Sequence, residues 1–319
     1  MSLRSAAETA VQQCLNLDSG ESCVIVTDDD RLAIGESLYE VASDVTDHAV
    51  LLRYPPLEQH GEEPSEPVAA AMKAADTFLA PTTKSLSHTR ARSEATEAGS
   101  RGATLPGITE EVFTTGLDAD YGDIRANCES LLEQVEEAST IRVTAPNGTD
   151  ISIEPGNREW QADTGTIHEP GSFSNLPAGE VFVSPETATG RYVVDGTMMP
   201  YGLLEEGQTL AFEVEDGYVT DIEDDAVRDQ VEEAAAEVGD AAYNLAELGI
   251  GANVAVASLV GSVLLDEKAA GTVHLAIGDD AGIGGDTEAP IHLDGVIKAP
   301  SVSVDGDPIE LPQPDAADI

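Results

Sequence analysis

The sequence predicts a protein of two parts: an α/β N-terminal domain with a doubly wound sheet over residues 1–138, and an α+β metal-binding domain over residues 139–319. Three observations support this prediction. Segments typical of strands and helices alternate along the first part, as they do in parallel α/β sheets. Strands dominate the second part. The second part also carries carboxylate and imidazole side chains of the kinds that bind metal ions.

The alternation begins close to the N-terminus, where residues 4–16 have the spacing of an amphipathic helix. Strands are predicted at 22–27, 48–54, 77–81 and 103–105, and further helices at 31–43, 67–75, 87–98 and 123–138. Asp28, Asp29 and Asp30 follow the first strand, where acidic side chains cap the start of a helix. The predicted boundary between the two domains follows the last of these helices.

The second part opens with a predicted hairpin, because Asn147-Gly148 supplies the positive φ angles of a type I′ turn between strands at 140–144 and 150–154. A helix is predicted at 228–239, residues 244–248 lie near the start of an irregular segment, and the 250s and 260s form a buried helix or loop. A terminal hairpin turns at 305–307, and residues 313–319 are expected to fray. The remaining strands are predicted at 180–183, 190–195, 209–214 and 218–222.

The charge of the chain excludes two classes of partner. Its 319 residues are 41% hydrophobic, and 61 Asp and Glu against 15 Lys and Arg give a formal net charge of -46. Such a surface repels nucleic acid and anionic membranes, because both bind proteins through Lys and Arg. We therefore expect a small-molecule or peptide substrate. Acidic residues scattered through every element indicate a halophilic protein, whose self-repulsion a salt-rich cytoplasm screens.

Cysteine usage also favours the cytoplasm. Cys14, Cys23 and Cys128 are an odd number, widely spaced and without a CxxC pattern, so neither a disulfide framework nor a cysteine metal site is expected. The N-terminus lacks the pattern of a signal peptide, and no segment reaches the roughly 18 apolar residues of a membrane span.

The candidate metal ligands are Glu180, Glu247, His274, His292 and Asp294. His292-Leu293-Asp294 places two ligand types two residues apart, so on a strand both project from one face. Oxygen and nitrogen donors suit zinc, cobalt, manganese or iron rather than calcium. Because five donors exceed the closed tetrahedron of a structural zinc site, we expect a catalytic centre.

These residues resemble the metal-dependent aminopeptidase T family through the Gly179-Glu180-Val181-Phe182 segment, a later Glu, a His and a final His-x-Asp. The resemblance covers roughly the second half of the chain. It implies removal of N-terminal residues from peptides by two metal ions, zinc or cobalt, held by the five candidate ligands, and a homodimer. Glu267 is the candidate catalytic acid or base, and Lys268 could equally hold it in a simple ion pair.

A related branch, the 2,5-dihydroxypyridine dioxygenases, looks similar through the same region. The aminopeptidases carry an acidic residue five before the first His and a catalytic Tyr seven after it, where this chain has Ala269 and Ala281. The dioxygenase resemblance implies one Fe(II) held by His274, His292 and Asp294. A metal-binding protein without catalysis is a third alternative.

Three further groups have both a functional and a plain interpretation. The run Asp28-Asp29-Asp30 could bind magnesium or form a solvated helix cap, and Gly249 and Gly251 are interpreted as close-packing or turn residues. Trp160 and His168 could line a pocket, although a surface loop is favoured for His168. A group of basic residues could attract a substrate carboxylate or simply balance a helix face: Lys84, His88, Arg90, Arg92 and Arg101.

Overall fold

The structure is a computed structural model that describes residues 1–314. Residues 315–319, part of the stretch expected to fray, lie outside the described residues. The helices are α1 (Leu3–Glu8), α2 (Leu32–Val45), α3 (Glu66–Ala74), α4 (Arg90–Glu97), α5 (Glu110–Gly116), α6 (Tyr121–Val135), α7 (Asp225–Val238) and α8 (Val263–Asp266). A π-helical segment, Thr9–Cys14, continues α1.

The strands divide into one parallel and two antiparallel sheets. In chain order they are β1 (Cys23–Asp28), β2 (Ala49–Tyr54), β3 (Thr77–Thr82), β4 (Arg101–Pro106), β5 (Ile141–Thr144), β6 (Asp150–Glu154), β7 (Gln161–Asp163), β8 (Phe173–Asn175), β9 (Glu180–Val183), β10 (Thr187–Val194), β11 (Thr197–Met198), β12 (Gly202–Leu203), β13 (Leu210–Glu215), β14 (Tyr218–Ile222), β15 (Leu245–Gly251), β16 (Val273–Gly278), β17 (His292–Ile297), β18 (Ser301–Val304) and β19 (Asp307–Pro308).

Packing groups the chain into two compact units. Unit 1 contains Met1–Arg125 and Thr164–Ala178, and unit 2 contains Ala126–Asp163 and the chain from Gly179 onward. The chain therefore passes from one unit to the other three times, whereas a single boundary at residue 138 would require only one passage. That boundary stays a prediction about separately folding domains, because packing alone does not show which segments fold by themselves.

Unit 1 is built on the parallel sheet, in the order β2-β1-β3-β4-β8. The chain starts at β1, moves outward to β2, and returns to the other side through β3 and β4, which is the strand order of a doubly wound sheet. Every residue of β1 and β3 is buried. Val26, Phe78 and Met72 join the core between this sheet and its helices. The predicted α/β fold is confirmed.

The acidic run Asp28-Asp29-Asp30 begins at the last residue of β1, and Asp28 is not a solvated cap. Asp28 is buried, and its carboxylate accepts hydrogen bonds from the backbone N–H groups of Asp30 and Arg31 and from Thr83 after β3. Asp29 pairs with Arg53 on β2. The run therefore links the end of β1 to β2 and to the residue that follows β3.

Unit 2 contains the two antiparallel sheets, ordered β14-β13-β10-β6-β5-β18-β19 and β12-β11-β17-β16-β15-β9-β7. The predicted hairpin of β5 and β6 is confirmed, but Gly148 has a positive φ, 105°, and Asn147 does not, so the turn is not type I′. The terminal hairpin does have positive φ at both central residues, 51° at Asp305 and 94° at Gly306.

One segment differs from its prediction. Residues 244–248 are expected at the edge of an irregular segment, but all except Asn244 belong to β15, which pairs with β16 on one side and β9 on the other. All of β15 is buried, so its backbone groups need partners on both sides, and the two ladders supply them. None of the helices formed by residues 1–314 is long and apolar enough to cross a membrane.

Candidate metal centre

Four neighbouring strands of unit 2, β17, β16, β15 and β9, bring the candidate ligands together. Asp294 and Glu247 both lie opposite Ala276 of β16, while His292 lies opposite Gly278. Residues directly opposite each other share a face of the sheet, and side chains alternate between faces along a strand. The register therefore places all five donors on one face: Glu180, Glu247, His274, His292 and Asp294.

Two glycines leave room for the side chains of this cluster. Gly249 lies opposite His274, and a Cβ there would come within 2.1 Å of the imidazole Nε2. A Cβ at Gly251 would lie 2.1 Å from the carbonyl oxygen of Ala269. Both glycines are close-packing residues, as predicted, and one lets the His274 ring lie across the backbone of β15.

Glu247 is the centre of the cluster. Its Oε1 lies 3.2 Å from Nε2 of His274, and its Oε2 lies 3.3 Å from Nε2 of His292. The register of β15 shifts between Leu245 and Glu247, and such an irregularity re-aims a side chain. Asp294 Oδ1 is 3.3 Å from His292 Nε2, and Glu180 Oε2 is 3.5 Å from His274 Nε2.

Among the described residues, the donor atoms form two sets in which all atoms lie within 4.8 Å of one another. The inner set is Glu180, Glu247 and His274, and the outer set is Glu247, His292 and Asp294. The His274 side chain is 1% exposed and that of His292 is 32% exposed. Solvent therefore reaches the centre from the side of the outer set.

The carboxylates keep protons on both imidazoles when no metal ion is present. Burial opposes charging of His274, but the hydrogen bond to Glu247 and the charge of Glu180 outweigh it and raise its pKa to about 9. Burial likewise opposes charging of His292, yet Asp294 and Glu247 hold its pKa well above the usual value. Burial alone would raise the pKa of Glu247, but its bonds to the two histidines hold it well below.

The residues fit a divalent cation. Buried Glu180 Oε2 makes no hydrogen bond, so a lone pair facing the cluster is free. The Nδ1 atom of His292 lies 2.7 Å from the carbonyl oxygen of Asp279, a contact that fixes the ring with Nε2 toward the carboxylates. Carboxylate oxygens and imidazole nitrogens suit zinc, cobalt, manganese and iron.

Glu267, the candidate catalytic residue, lies beside this cluster at the end of α8. Its carboxylate contacts the ammonium group of Lys268, so the predicted ion pair is present. Burial raises the pKa of Glu267 to about 8; the Lys268 charge opposes this rise, and the charges of Asp294 and Glu180 add to it. A carboxyl group that keeps its proton near neutral pH can act as a proton donor or acceptor.

Sequence reasoning missed the second partner of Lys268. Its Nζ donates to Glu180 Oε1 at 3.0 Å, and Glu180 and Glu267 hold its pKa well above the usual value although burial lowers it. Asp163 also lies opposite Glu180, on the same face. No local pattern could have revealed the Lys268–Glu180 contact, because the two residues are 88 positions apart.

Other candidate residues have structural partners outside this cluster. The Arg101 guanidinium is buried in unit 1, where it pairs with Glu21 and donates to the carbonyl oxygen of Ile167 at 3.1 Å. Arg92 stacks over the ring of Phe173 at 4.5 Å. His168 is exposed in unit 1, so the surface-loop interpretation holds for it.

Fold and site together define a class of two-part enzymes in which an antiparallel sheet carries a Glu, His and Asp metal centre. The family model described as NicX, 2,5-dihydroxypyridine 5,6-dioxygenase, matches residues 5–311, and the chain belongs to this family. No curated protein matches the chain significantly. The comparison thus identifies the dioxygenase branch, which the sequence analysis gave as the alternative to the aminopeptidases.

Two solved structures share the fold. The 2,5-dihydroxypyridine dioxygenase from Pseudomonas putida KT2440 superposes with a TM-score of 0.78 at 18% identity, covering 99% of this chain and 97% of that one. Wild-type AmpT from Thermus thermophilus superposes with a TM-score of 0.70 at 19% identity, covering 96% of each chain. Both likenesses span nearly the whole of this chain.

Proposed function

We propose that this protein is a ring-cleaving dioxygenase that acts on a dihydroxylated aromatic of the 2,5-dihydroxypyridine type. One observation carries the proposal: the dioxygenase family model extends over residues 5–311. One Fe(II) would be held by His274, His292 and Asp294. Two imidazoles and one carboxylate form a facial set that leaves open positions for substrate and oxygen.

The position of these three side chains supports the proposal. They lie on one face of the adjacent strands β16 and β17, and the outer side of the cluster is open to solvent. They do not all belong to one of the two donor sets, because His274 is in the inner set and the other two residues are in the outer set. Glu247 contacts both imidazoles and so links the two sets.

The bound ion would supply the one-electron chemistry that allows oxygen to react with an aromatic ring. The chain's own groups orient the ligands and handle protons. Glu247 holds both imidazole Nε2 atoms toward the centre, and Asp279 fixes the outer ring from behind. The Glu267 carboxyl group can exchange a proton with a substrate hydroxyl. Both atoms of oxygen end in the product, so no further reductant is required.

The experiment is oxygen uptake by protein loaded anaerobically with Fe(II) in concentrated KCl, with 2,5-dihydroxypyridine as substrate. We expect uptake together with loss of the aromatic absorbance. Asp294→Asn should abolish both, whereas Asp221→Asn, the same change at an exposed site on β14, should abolish neither. Protein that holds one iron per chain and consumes no oxygen with several dihydroxylated aromatics would contradict the proposal.

A second candidate, an aminopeptidase-like hydrolase with two zinc or cobalt ions, is favoured by one observation. Glu247 belongs to both donor sets, as a carboxylate that bridges two ions would. This function predicts chelator-sensitive release of an N-terminal residue from a chromogenic aminoacyl amide by zinc- or cobalt-loaded protein. If protein with two bound ions turns over none of several aminoacyl amides, the aminopeptidase-like function is refuted.

A further inference from the structure

A buried ammonium group already occupies one side of the inner donor set. The Lys268 side chain is 3% exposed, and its Nζ donates to Glu180 Oε1 at 3.0 Å. The same Nζ contacts the carboxylate of Glu267. Glu180 is thus left with one oxygen, Oε2, for anything bound between it and His274, and it cannot bind a cation through both oxygens.

The backbone fixes this lysine in place. The N–H of Asn253 donates to the carbonyl oxygen of Lys268 at 2.9 Å, and the N–H of Ala270 donates to the carbonyl oxygen of Asn253 at 3.1 Å. Only a residue without a side chain fits at position 251, because a Cβ there would meet Ala269. The segment therefore approaches β15 closely and delivers the ammonium group to Glu180.

We propose that the Lys268 ammonium takes the place of a second metal ion, so that the centre holds one divalent cation although its donors form two sets. A cation in the inner set would share the Glu180 carboxylate with the ammonium group. Two positive charges on one buried carboxylate repel each other strongly, since the surrounding protein screens them weakly. The inference rests on the single-ion site of the proposed function, and Lys268 is a positioning residue in it.

The proposal gives each carboxylate a distinct task. Glu180 balances the charge of the lysine and Glu267 contacts its ammonium group, which leaves Glu247 and Asp294 to face the cation and the two imidazoles. It also explains why a set of three good donors can lie next to an ion without taking up another. Removal of the lysine charge should open the inner set.

The test counts bound ions with zinc as the probe, because zinc needs no redox control. Metal-free protein is equilibrated with increasing zinc in concentrated KCl, and bound zinc per chain is measured by elemental analysis and calorimetric titration. The wild type should saturate at about one ion. Lys268→Met should take up a second ion at least about tenfold more tightly than the wild type does, because the repulsion is gone.

Matched variants separate charge from packing. Lys268→Arg keeps the positive charge and should stay at one ion, and Lys298→Met, the same change at an exposed lysine, should too. Lys268→Gln is a second uncharged variant in case the methionine variant does not fold, as judged by circular dichroism. It should gain the second ion as well.

Two results would overturn the proposal: a wild type that binds two zinc ions with similar affinity, or a folded Lys268→Met or Lys268→Gln protein that gains no second ion. Oxygen uptake by the iron-loaded wild type tests the proposed function separately. A wild type with one ion and no uptake would refute the dioxygenase and leave the role of Lys268 standing. A wild type that binds two ions and consumes oxygen would refute the role of Lys268 and leave the dioxygenase function standing.

Discussion

Gly249 lies opposite His274 so closely that a Cβ built at position 249 would be 2.0 Å from the imidazole Cε1. No rearrangement of a flexible side chain can relieve this contact, since the ring is buried and held by carboxylates. Gly249→Ala should therefore displace the ring and lower metal affinity at least about tenfold, roughly the loss of one well-oriented ligand contact.

Calorimetric titration with zinc measures that loss. Gly20→Ala is the control, because a Cβ there meets nothing closer than the Asp18 carboxylate at 3.5 Å. If Gly249→Ala binds zinc with unchanged affinity, the His274 ring does not bind the ion from the position that it has in this structure.

Two glutamates decide between one ion and two. If His274, His292 and Asp294 hold a single ion, Glu180→Gln and Glu247→Gln should each retain about one ion per chain. If two ions share Glu247, either change should remove about one of two ions and most activity. Elemental analysis of the purified variants gives the answer, and Asp294→Asn, which should lose metal under both schemes, is the reference. A drop from two ions to one would refute the single-ion centre.

Metal binding should release protons. The neighbouring carboxylates raise the pKa of His274 to about 9 and hold that of His292 well above its usual value, so both rings are charged at pH 7 without metal. Only neutral imidazole binds a metal, and ion binding at pH 7 should therefore release up to about two protons. Affinity should rise with pH up to at least about pH 9, where His274 loses its proton.

Calorimetry in buffers of different ionisation enthalpy counts the released protons. His292→Ala should reduce the number by about one, because one charged ring is removed. Binding at pH 7 without any proton release would mean that the imidazoles are neutral before the metal arrives.

The ion pair between buried Arg101 and partly exposed Glu21 should make unit 1 acid-sensitive. The hydrogen bond from Arg101 lowers the pKa of Glu21 in the folded protein, although burial opposes it. Its stabilising contribution is therefore fully present above the unfolded-state pKa and disappears as pH falls through the lower folded-state value. Glu21→Gln should lower the free energy of unfolding by about 2 kcal/mol at pH 7, the contribution of a hydrogen bond between charged groups, and by less at pH 3, below the unfolded-state pKa.

Urea unfolding of both proteins at the two pH values checks this expectation. Asp150→Asn removes an exposed, solvent-screened pair with Arg142 and should leave stability almost unchanged at both pH values. An equal loss at pH 7 and pH 3 for Glu21→Gln would show that the charge of Glu21 is not what stabilises the fold.

Added salt should stabilise this protein against unfolding much more than it stabilises a protein without net charge. The formal net charge of -46 repels itself, and screening shortens from about 10 Å at 0.1 M to about 3 Å at 1 M salt. The unfolding temperature should rise steadily with KCl. Sucrose of matched osmolality, which does not screen charge, is the control. An equal rise of the unfolding temperature in KCl and in sucrose would contradict the halophilic interpretation.

The sequence by itself determined the kinds of elements and the kinds of donors. Strand and helix alternation up to residue 105 predicts the parallel sheet, because periodicity is a local property that each segment carries in its own residues. The Asp305-Gly306 turn is local in the same way. The His292-x-Asp294 spacing likewise predicts two donors on one face of a strand, which β17 provides.

Only the tertiary structure decided how the donors combine. The pairing of β15 with β9 and β16 placed residues 245–248 in a buried strand and Glu247 between two histidines. The contact of Lys268 with Glu180 depends on Gly251 letting a distant segment approach. Such relationships arise from strand register and close packing between segments far apart in the chain, and neither leaves a periodic signal in the sequence.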